Sequence, residues 1–181
     1  MQIDLSKHHG LGNDFLVINV AQANSSFAWP ELAQRWCDRR FGVGADGLLL
    51  LEIKDGNRLG MILYNADGSR AEMSGNGIRC LVQAAHRTLA GPEGKPATYT
   101  VDTDAGERTV SVESDWADGE LYISVDMGRV SDLTEPHNWD ALGCNPDRPV
   151  RHVSMGNPHS VVGVDDVATV DLAELGQKVP H

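Results

Sequence analysis

The glycines of this chain are gathered into short loops between apolar segments. There are 19 glycines among the 181 residues, which is about 10% where an average protein has ~7%. They cluster in residues 10–12, 42–47, 68, 75–77 and 156. Because glycine has no Cβ, a loop with closely spaced glycines lets the backbone approach a ligand. The chain is therefore predicted to consist of short helices and strands joined by loops that suit a binding site.

Composition and charge narrow the class of protein. Hydrophobic residues make up 41% and charged residues 23% of the chain, as in an ordinary globular protein, and the length allows one domain or two small ones. The formal net charge is −11, and residues 99–147 hold twelve acids but only two arginines. An acidic chain without a basic face repels phosphate backbones, so no nucleic-acid partner is expected.

Membrane insertion and secretion are not expected either. No apolar run approaches the ~20 residues that span a bilayer, and the N-terminus lacks the basic-then-apolar pattern of a signal peptide. The three cysteines, Cys37, Cys80 and Cys144, are odd in number and lack metal-ligand spacing. We therefore expect a cytoplasmic protein with no metal site and no membrane partner.

Hydrophobic periodicity predicts an α+β fold. Helices are predicted at 30–40, 77–89 and 170–177, and strands at 48–53, 59–65, 98–101, 108–112, 120–127, 150–154 and 161–164. The second helix is expected to bury Ile78, Leu81, Val82 and Ala85. The Asp67-Gly68 pair is a hairpin signal. Mixed strands and helices give the α+β class, and we predict two domains, 1–117 and 118–181.

Three loops, at 9–14, 65–77 and 156–160, are rich in Asn, Gly, Ser and His. Asparagine both donates and accepts hydrogen bonds, so such loops suit a ligand that carries a carboxylate and an ammonium group. In the second loop, residues 74–77 directly precede a predicted helix. Free N–H groups at a helix N-terminus bind carboxylates and stabilise negative charge that develops on them.

Each of these residues also has an ordinary structural interpretation. Ser74 or Asn76 can be a helix N-cap, which is common for these residue types. Asn13 and Asn65, taken singly, are typical turn residues. His159 can carry a proton near neutral pH, although a lone histidine is more often structural. Local sequence leaves both interpretations open.

Taken together, five stretches resemble the diaminopimelate epimerase family. They are KHHGLGNDF at 7–15, DRRFGVGADG at 38–47, NADGS at 65–69, MSGNGIRC at 73–80 and MGNPH at 155–159. The resemblance implies two pseudo-symmetric domains, each with β-structure around a central helix, here 77–89. It implies an isomerase of lysine and peptidoglycan biosynthesis that interconverts LL- and meso-2,6-diaminopimelate without pyridoxal phosphate or any other cofactor, and a homodimer is possible.

The resemblance also implies roles for individual residues. Asn13, Asn65 and Asn157 would bind the amino and carboxylate groups of the substrate. The backbone N–H groups of Gly75 and Asn76 would face the reacting α-carboxylate. The catalytic residues implied are His159, which would position or polarise the reacting centre, and Ser74. In this family two bases, both cysteines, exchange the proton on opposite faces of Cα.

Two features depart from the family pattern. Ser74 stands where the family has its first catalytic cysteine, and a hydroxyl is a weak base unless a neighbour activates it. The sequence given ends at His181, about two-thirds of the way through the pattern, before the second cysteine. We therefore expect an incomplete second domain in these residues.

Two alternatives follow from these departures. One is a related epimerase or isomerase that acts on hydroxyproline or on a phenazine precursor. The other is a non-catalytic amino-acid-binding remnant, in keeping with Ser74 and the missing second base.

Overall fold

The computed structural model describes residues 3–23, 27–90, 95–115, 121–137, 139 and 147–171. The chain divides into two units, Met1–Gly128 and Arg129–His181. The boundary that we predicted near residue 117 falls outside the described residues and stays a prediction. Cys144 and nearly all of the helix predicted at 170–177 also fall outside them.

The described elements of the first unit alternate between short strands and two helices. In chain order they are β1 (Ser6–Gly10), β2 (Asn13–Asn19), α1 (Trp29–Cys37), β3 (Gly47–Ile53), β4 (Arg58–Asn65), β5 (Arg70–Ala71), α2 (Gly75–Ala90), β6 (Ala97–Thr103), β7 (Gly106–Asp115) and β8 (Leu121–Val125). Within the described residues these strands form one eight-stranded sheet, in the order β1-β2-β3-β4-β6-β7-β8 with β5 beside β4. The β2–β3 and β4–β6 pairs are parallel and the others antiparallel. The predicted α+β class is confirmed.

Helix α2 lies at the centre of the core of the first unit. It contacts β1, β2, β3 and β4, and also β8 at the far edge of the sheet. The sheet must therefore curve around the helix. The four helix residues predicted to be buried are fully buried, namely Ile78, Leu81, Val82 and Ala85.

Strands β2 and β3 are covered on both faces. Val17 and Leu49 belong to the cluster around α2, whereas Leu16 and Leu48 pack in a second cluster with Ala33 of α1. This explains why the sequence shows continuous apolar runs here, because a strand that is buried on both faces has no polar face to alternate with. We did not predict β1 or β2, although the run at 15–18 was available as a signal.

Among the predicted boundaries that differ from the structure, three have a clear physical cause. Helix α1 ends at Cys37, not at 40, because Asp38 leaves the helical region and its carboxylate accepts the N–H groups of Arg40 and Phe41, each at 2.7 Å. Helix α2 begins at Gly75, not at 77, because Ser74 caps it.

The third boundary lies in the second unit, which is described here by itself. Its described strands, β9 (Ser131–Asp132), β10 (Val150–Ser154) and β11 (Pro158–Val162), form a sheet in the order β11-β10-β9. The prediction of 161–164 missed the first half of β11, because proline and histidine are weak strand formers. A proline at the start of an edge strand is nevertheless tolerated.

No helix in the described ranges is long and apolar enough to cross a membrane.

The burial of α2 leads to a stability prediction. We expect Leu81→Ala to lower the free energy of unfolding by about 2–5 kcal/mol, because it leaves a cavity in the core. Thr88→Ala, on the exposed side of the same helix, is the matched control and should change it by less than about 0.5 kcal/mol. Urea unfolding of both variants measures the difference, and equal losses would contradict the central position of α2.

A second prediction concerns His8 of β1. Its Nδ1 donates to Gln83 Oε1 at 2.8 Å, and its Nε2 is hydrogen-bonded to Ser6 Oγ at 2.9 Å. Burial lowers the pKa of His8, against the hydrogen bond to Gln83, and the nearby Arg87 lowers it further. The unfolded chain therefore binds a proton more readily than the folded one.

The stability that His8 contributes is fully present above its unfolded pKa of about 6.5 and is lost as the pH falls through the lower folded pKa. We expect the free energy of unfolding to decline from about pH 7.5 to about pH 5, and His8→Gln to decline less over that window. Urea titrations at several pH values test this. An identical decline in both proteins would rule out His8 as the source.

Candidate functional site

The first turn of α2 is built from residues 74–77. Ser74 Oγ accepts the N–H of Gly77 at 3.0 Å, and Ser74 carbonyl oxygen accepts the N–H of Ile78 at 2.9 Å, so Ser74 is the N-cap. Within the described residues of the first unit, no acceptor is recorded for the backbone N–H groups of Gly75 and Asn76. Two polar N–H groups at the positive end of the helix are thus available to a ligand.

Glycine at position 77 lets the cap approach closely. A Cβ on Gly77 would lie 3.0 Å from Ser74 Cβ and 3.2 Å from its Oγ. Both distances are tighter than nearly all real contacts. A side chain at 77 would therefore push Ser74 away from the helix end.

The tight turn between β1 and β2 brings Asn13 to this helix end. Leu11 and Gly12 both adopt positive φ, at 56° and 88°, and Asn13 follows as the first residue of β2. Its Oδ1 accepts a hydrogen bond from Asn76 Nδ2 at 3.1 Å. A Cβ on Gly10 would lie only 3.2 Å from Asn76 Oδ1, so the β1 end of this turn packs directly on Asn76.

Charged residues hold the end of the Asn13 side chain that faces away from Asn76. Asp46 Oδ2 accepts from Asn13 Nδ2 at 2.7 Å and from the backbone N–H of Asp14 at 3.0 Å. The Arg39 guanidinium donates to the carboxylates of Asp14 and Asp46, at 2.7 Å to each. Lys7 forms an ion pair with Asp14 at 3.0 Å. The hydrogen bonds from Arg39 hold the pKa of Asp14 well below its usual range, with Lys7 acting in the same direction.

Asn65 lies at the same end of the sheet as Asn13. It is the last residue of β4 and pairs in register with Gly47, which pairs in turn with Phe15 of β2. Its Nδ2 donates to Ser69 Oγ at 3.0 Å. The backbone of Asp46 also accepts from Ala66 at 3.0 Å. The structure therefore brings Asn13, Asn65 and residues 74–76 to one region of the first unit.

The two remaining predicted residues belong to the second unit and lie next to each other there. His159 Nε2 donates to Asn157 Oδ1 at 2.9 Å, across the turn that leads into β11. Gly156 in that turn has a φ of 97°, a conformation that favours glycine. Asn157 is half-buried and His159 is exposed. The roles of all seven predicted site residues stay predictions.

The described cysteines are not suited to act as bases. Cys37 and Cys80 are both buried and free, and burial raises the pKa of each thiol to about 11. Thiols of that pKa are protonated at neutral pH and inert. Each cysteine packs in an apolar cluster of the first unit, Cys80 around α2 and Cys37 beside α1. In the described part of the chain, no group of three or more His, Cys, Asp or Glu is arranged to hold a metal ion.

Sequence reasoning missed the charged residues that hold the asparagines. These are Lys7, Arg39, Asp46 and Arg79, the last of which donates to Asn76 Oδ1. All four lie inside the quoted stretches at 7–15, 38–47 and 73–80. Charges of both signs inside glycine-rich loops were the available signal, but their pairing depends on contacts between loops that are far apart in sequence.

The family model for diaminopimelate epimerase matches residues 5–133. The chain belongs to the diaminopimelate epimerase family. It is 41% identical to the diaminopimelate epimerase of Thermosynechococcus vestitus, and the match covers 100% of this chain and 66% of that protein. The corresponding protein of Synechocystis is 40% identical over 100% of this chain and 67% of its own length. The chain thus spans about two-thirds of these diaminopimelate epimerases.

Solved structures support the same fold. A predicted epimerase from Pseudomonas aeruginosa matches with a TM-score of 0.67 at 18% identity, covering 98% of this chain and 65% of that one. A hydroxyproline epimerase from Agrobacterium vitis matches with a TM-score of 0.57 at 17% identity, covering 95% and 51%. At such identities the likeness concerns the fold alone. The predicted diaminopimelate-epimerase-like fold is confirmed.

The cap formed by Ser74 can be tested by stability. We expect Ser74→Ala to lower the free energy of unfolding by about 1 kcal/mol, because the Gly77 N–H loses its acceptor. Ser74→Asn should be close to neutral, since asparagine caps helices as well as serine does. Thermal and urea unfolding compare the two. The cap would be disproved if both variants lost the same amount.

Proposed function

We propose that the protein is a cofactor-independent epimerase that interconverts LL- and meso-2,6-diaminopimelate. The observation that carries the proposal is the first turn of α2. Gly75 and Asn76 offer two backbone N–H groups there that have no acceptor within the described residues, beside the hydrogen-bonded pair of Asn13 and Asn76. Removal of the Cα proton of an amino acid moves negative charge onto its carboxylate. Fixed N–H groups at a helix N-terminus stabilise that charge as it develops.

The asparagines would hold the substrate in place. In the proposal, Asn13, Asn65 and Asn157 bind its amino and carboxylate groups, and His159 positions or polarises the reacting centre. An amide suits this task because it donates to a carboxylate and accepts from an ammonium group. The hydrogen bond between His159 Nε2 and Asn157 Oδ1 is consistent with a pair that acts together.

Ser74 would act on one face of Cα, and no other residue of the 181 is assigned to the opposite face. The N–H of Gly77 and the helix dipole both favour negative charge on Ser74 Oγ. A hydroxyl is still far less acidic than a thiol, so we expect Ser74 to be a poor base or to serve only as a proton donor.

The pathway, the compartment and the partners follow from the same proposed reaction. We propose a role in lysine and peptidoglycan biosynthesis, in the cytoplasm, with a small-molecule substrate and no nucleic-acid or membrane partner. A homodimer is part of the same expectation.

Amino-acid binding without catalysis is the second candidate. The observation that favours it is the hydrogen bond of Ser74 to Gly77, because this bond accounts for a serine at position 74 without any chemistry. Both candidates predict that diaminopimelate binds. Only the epimerase exchanges the Cα proton with solvent.

Exchange at Cα in heavy water separates the candidates. We expect the protein to replace the Cα proton of diaminopimelate by deuterium, seen as loss of the ¹H signal, and Ser74→Ala to abolish the exchange. Ser74→Cys should accelerate it roughly tenfold or more, because a thiol is the more effective acid and base.

Thr88→Ala, on the exposed side of α2, is the control and should exchange like the parent. Trans-4-hydroxy-L-proline, offered in parallel, tests the related substrate class. Binding of diaminopimelate without exchange in the parent and in Ser74→Cys would favour the second candidate. An unchanged rate in Ser74→Cys would refute the role proposed for Ser74.

A further inference from the structure

A chain of hydrogen bonds crosses the candidate site from one arginine to another. Arg39 donates to Asp46 Oδ1 at 2.7 Å, and Asp46 Oδ2 accepts from Asn13 Nδ2 at 2.7 Å. Asn13 Oδ1 accepts from Asn76 Nδ2 at 3.1 Å, and Asn76 Oδ1 accepts from Arg79. The two middle links join separate parts of the chain, whereas the first lies within the loop between α1 and β3 and the last within one turn of α2.

The chemistry of the two ends sets the orientation of both amides. An ionised carboxylate only accepts, so the Asn13 atom that faces Asp46 must be nitrogen. A guanidinium only donates, so the Asn76 atom that faces Arg79 must be oxygen. With both ends set, the middle link can only be the N–H of Asn76 donating to the oxygen of Asn13. A flip of either amide would place like groups against each other.

This orientation decides what the pair offers to a ligand. Each amide nitrogen carries two N–H groups and uses one of them in these hydrogen bonds. Within the described residues, one N–H of Asn13 and one N–H of Asn76 are therefore left to donate to a ligand. These groups add to the two backbone N–H groups of Gly75 and Asn76. The region therefore presents several donors, which suits a carboxylate.

We propose that Asp46 is a positioning residue that fixes the amide of Asn13 for a ligand carboxylate, an assignment that rests on the proposed function for the identity of the ligand. Asp46 acts through Asn13 and need not touch the ligand. Its carboxylate receives three donors, from Arg39, Asn13 and the backbone of Asp14. It is thereby held in one place although its side chain is 42% exposed.

Asp14 provides a matched control, because it shares the same arginine. Arg39 donates to Asp14 at 2.7 Å as it does to Asp46, and Lys7 adds a second ion pair. The recorded contacts of the Asp14 carboxylate do not include the Asn13 side chain. Asp14 Oδ1 also accepts from the backbone N–H of Asp46 at 3.1 Å, and the amide oxygen of asparagine can accept the same bond. Asp14→Asn therefore removes charge from the network but keeps the Asp46 carboxylate that accepts from Asn13. Asp46→Asn removes the charge of that acceptor.

The first experiment measures ligand affinity by calorimetry with the 181-residue chain and diaminopimelate. We expect Asp46→Asn to weaken binding about tenfold, the size expected for a hydrogen bond to a charged group, and Asp14→Asn to weaken it less than about threefold. In the double variant Asp46→Asn/Asn13→Ala, the loss should equal that of Asn13→Ala alone, because Asp46 acts through Asn13. Additive losses, or equal losses in the two aspartate variants, would overturn the proposal.

A second measurement does not depend on the ligand. The two Nδ2 protons of Asn13 give separate side-chain amide signals in ¹H–¹⁵N spectra, because rotation about the amide bond is slow. In the ligand-free protein, the proton that is hydrogen-bonded to the Asp46 carboxylate should be shifted downfield. We expect Asp46→Asn to shift the bonded proton and Asp14→Asn to leave it near its original position. Unchanged Asn13 signals in Asp46→Asn would overturn the positioning role.

The two measurements also separate this proposal from the proposed function. A parent protein that fails to bind diaminopimelate contradicts the proposed substrate, while the amide spectra still decide whether Asp46 orients Asn13. If an aspartate variant does not fold, Asn13→Ala in the parent background gives the reference loss. The side-chain amide signals of Asn76 in Asn13→Ala then report whether the hydrogen bonds between Arg39 and Arg79 have been interrupted.

Discussion

The burial of α2 within the curved sheet is the constraint on which the rest of the first unit depends. Its apolar face is covered by strands from both ends of the sheet, so the position of the helix is set by the buried cluster that packs around it. Its N-terminus is consequently fixed beside the β1–β2 turn, where Asn13 begins a strand. A helix end held by a packed core is a more rigid platform for N–H groups than a loop would be.

The side-chain hydrogen bonds at the N-terminus of α2 are fixed by charged residues that can only donate or only accept. Arg39 and Arg79 stand at the two ends, Asp46 accepts, and the two asparagines between them have no choice of orientation. A set of amide side chains alone would have allowed several orientations, because each amide can be turned so that its oxygen and nitrogen exchange places. The charged residues thus account for the fixed orientation of both amides at the candidate site.

Much of the fold was predictable because local signals agreed with the tertiary packing. The apolar period of α2 predicted its buried residues, and the hairpin around 67–68 followed from turn chemistry. The errors occurred where tertiary contacts decide an element. Helix α1 stops where Asp38 caps the following turn, and β11 extends over Pro158 and His159 because its pairing with β10 overrides their weak strand preference.

The sequence by itself determined the family and the residue types of the site, because five short stretches with their spacing are a specific pattern. It also predicted that 74–77 forms a helix N-terminus, but it left open whether Ser74 caps the helix. Only the structure showed that Ser74 accepts from Gly77, and that Asp46 accepts from Asn13 across 33 residues of chain. The contact between Asn13 and Asp46 depends on the distance between two separate loops, and that distance is set by the pairing of β2 with β3.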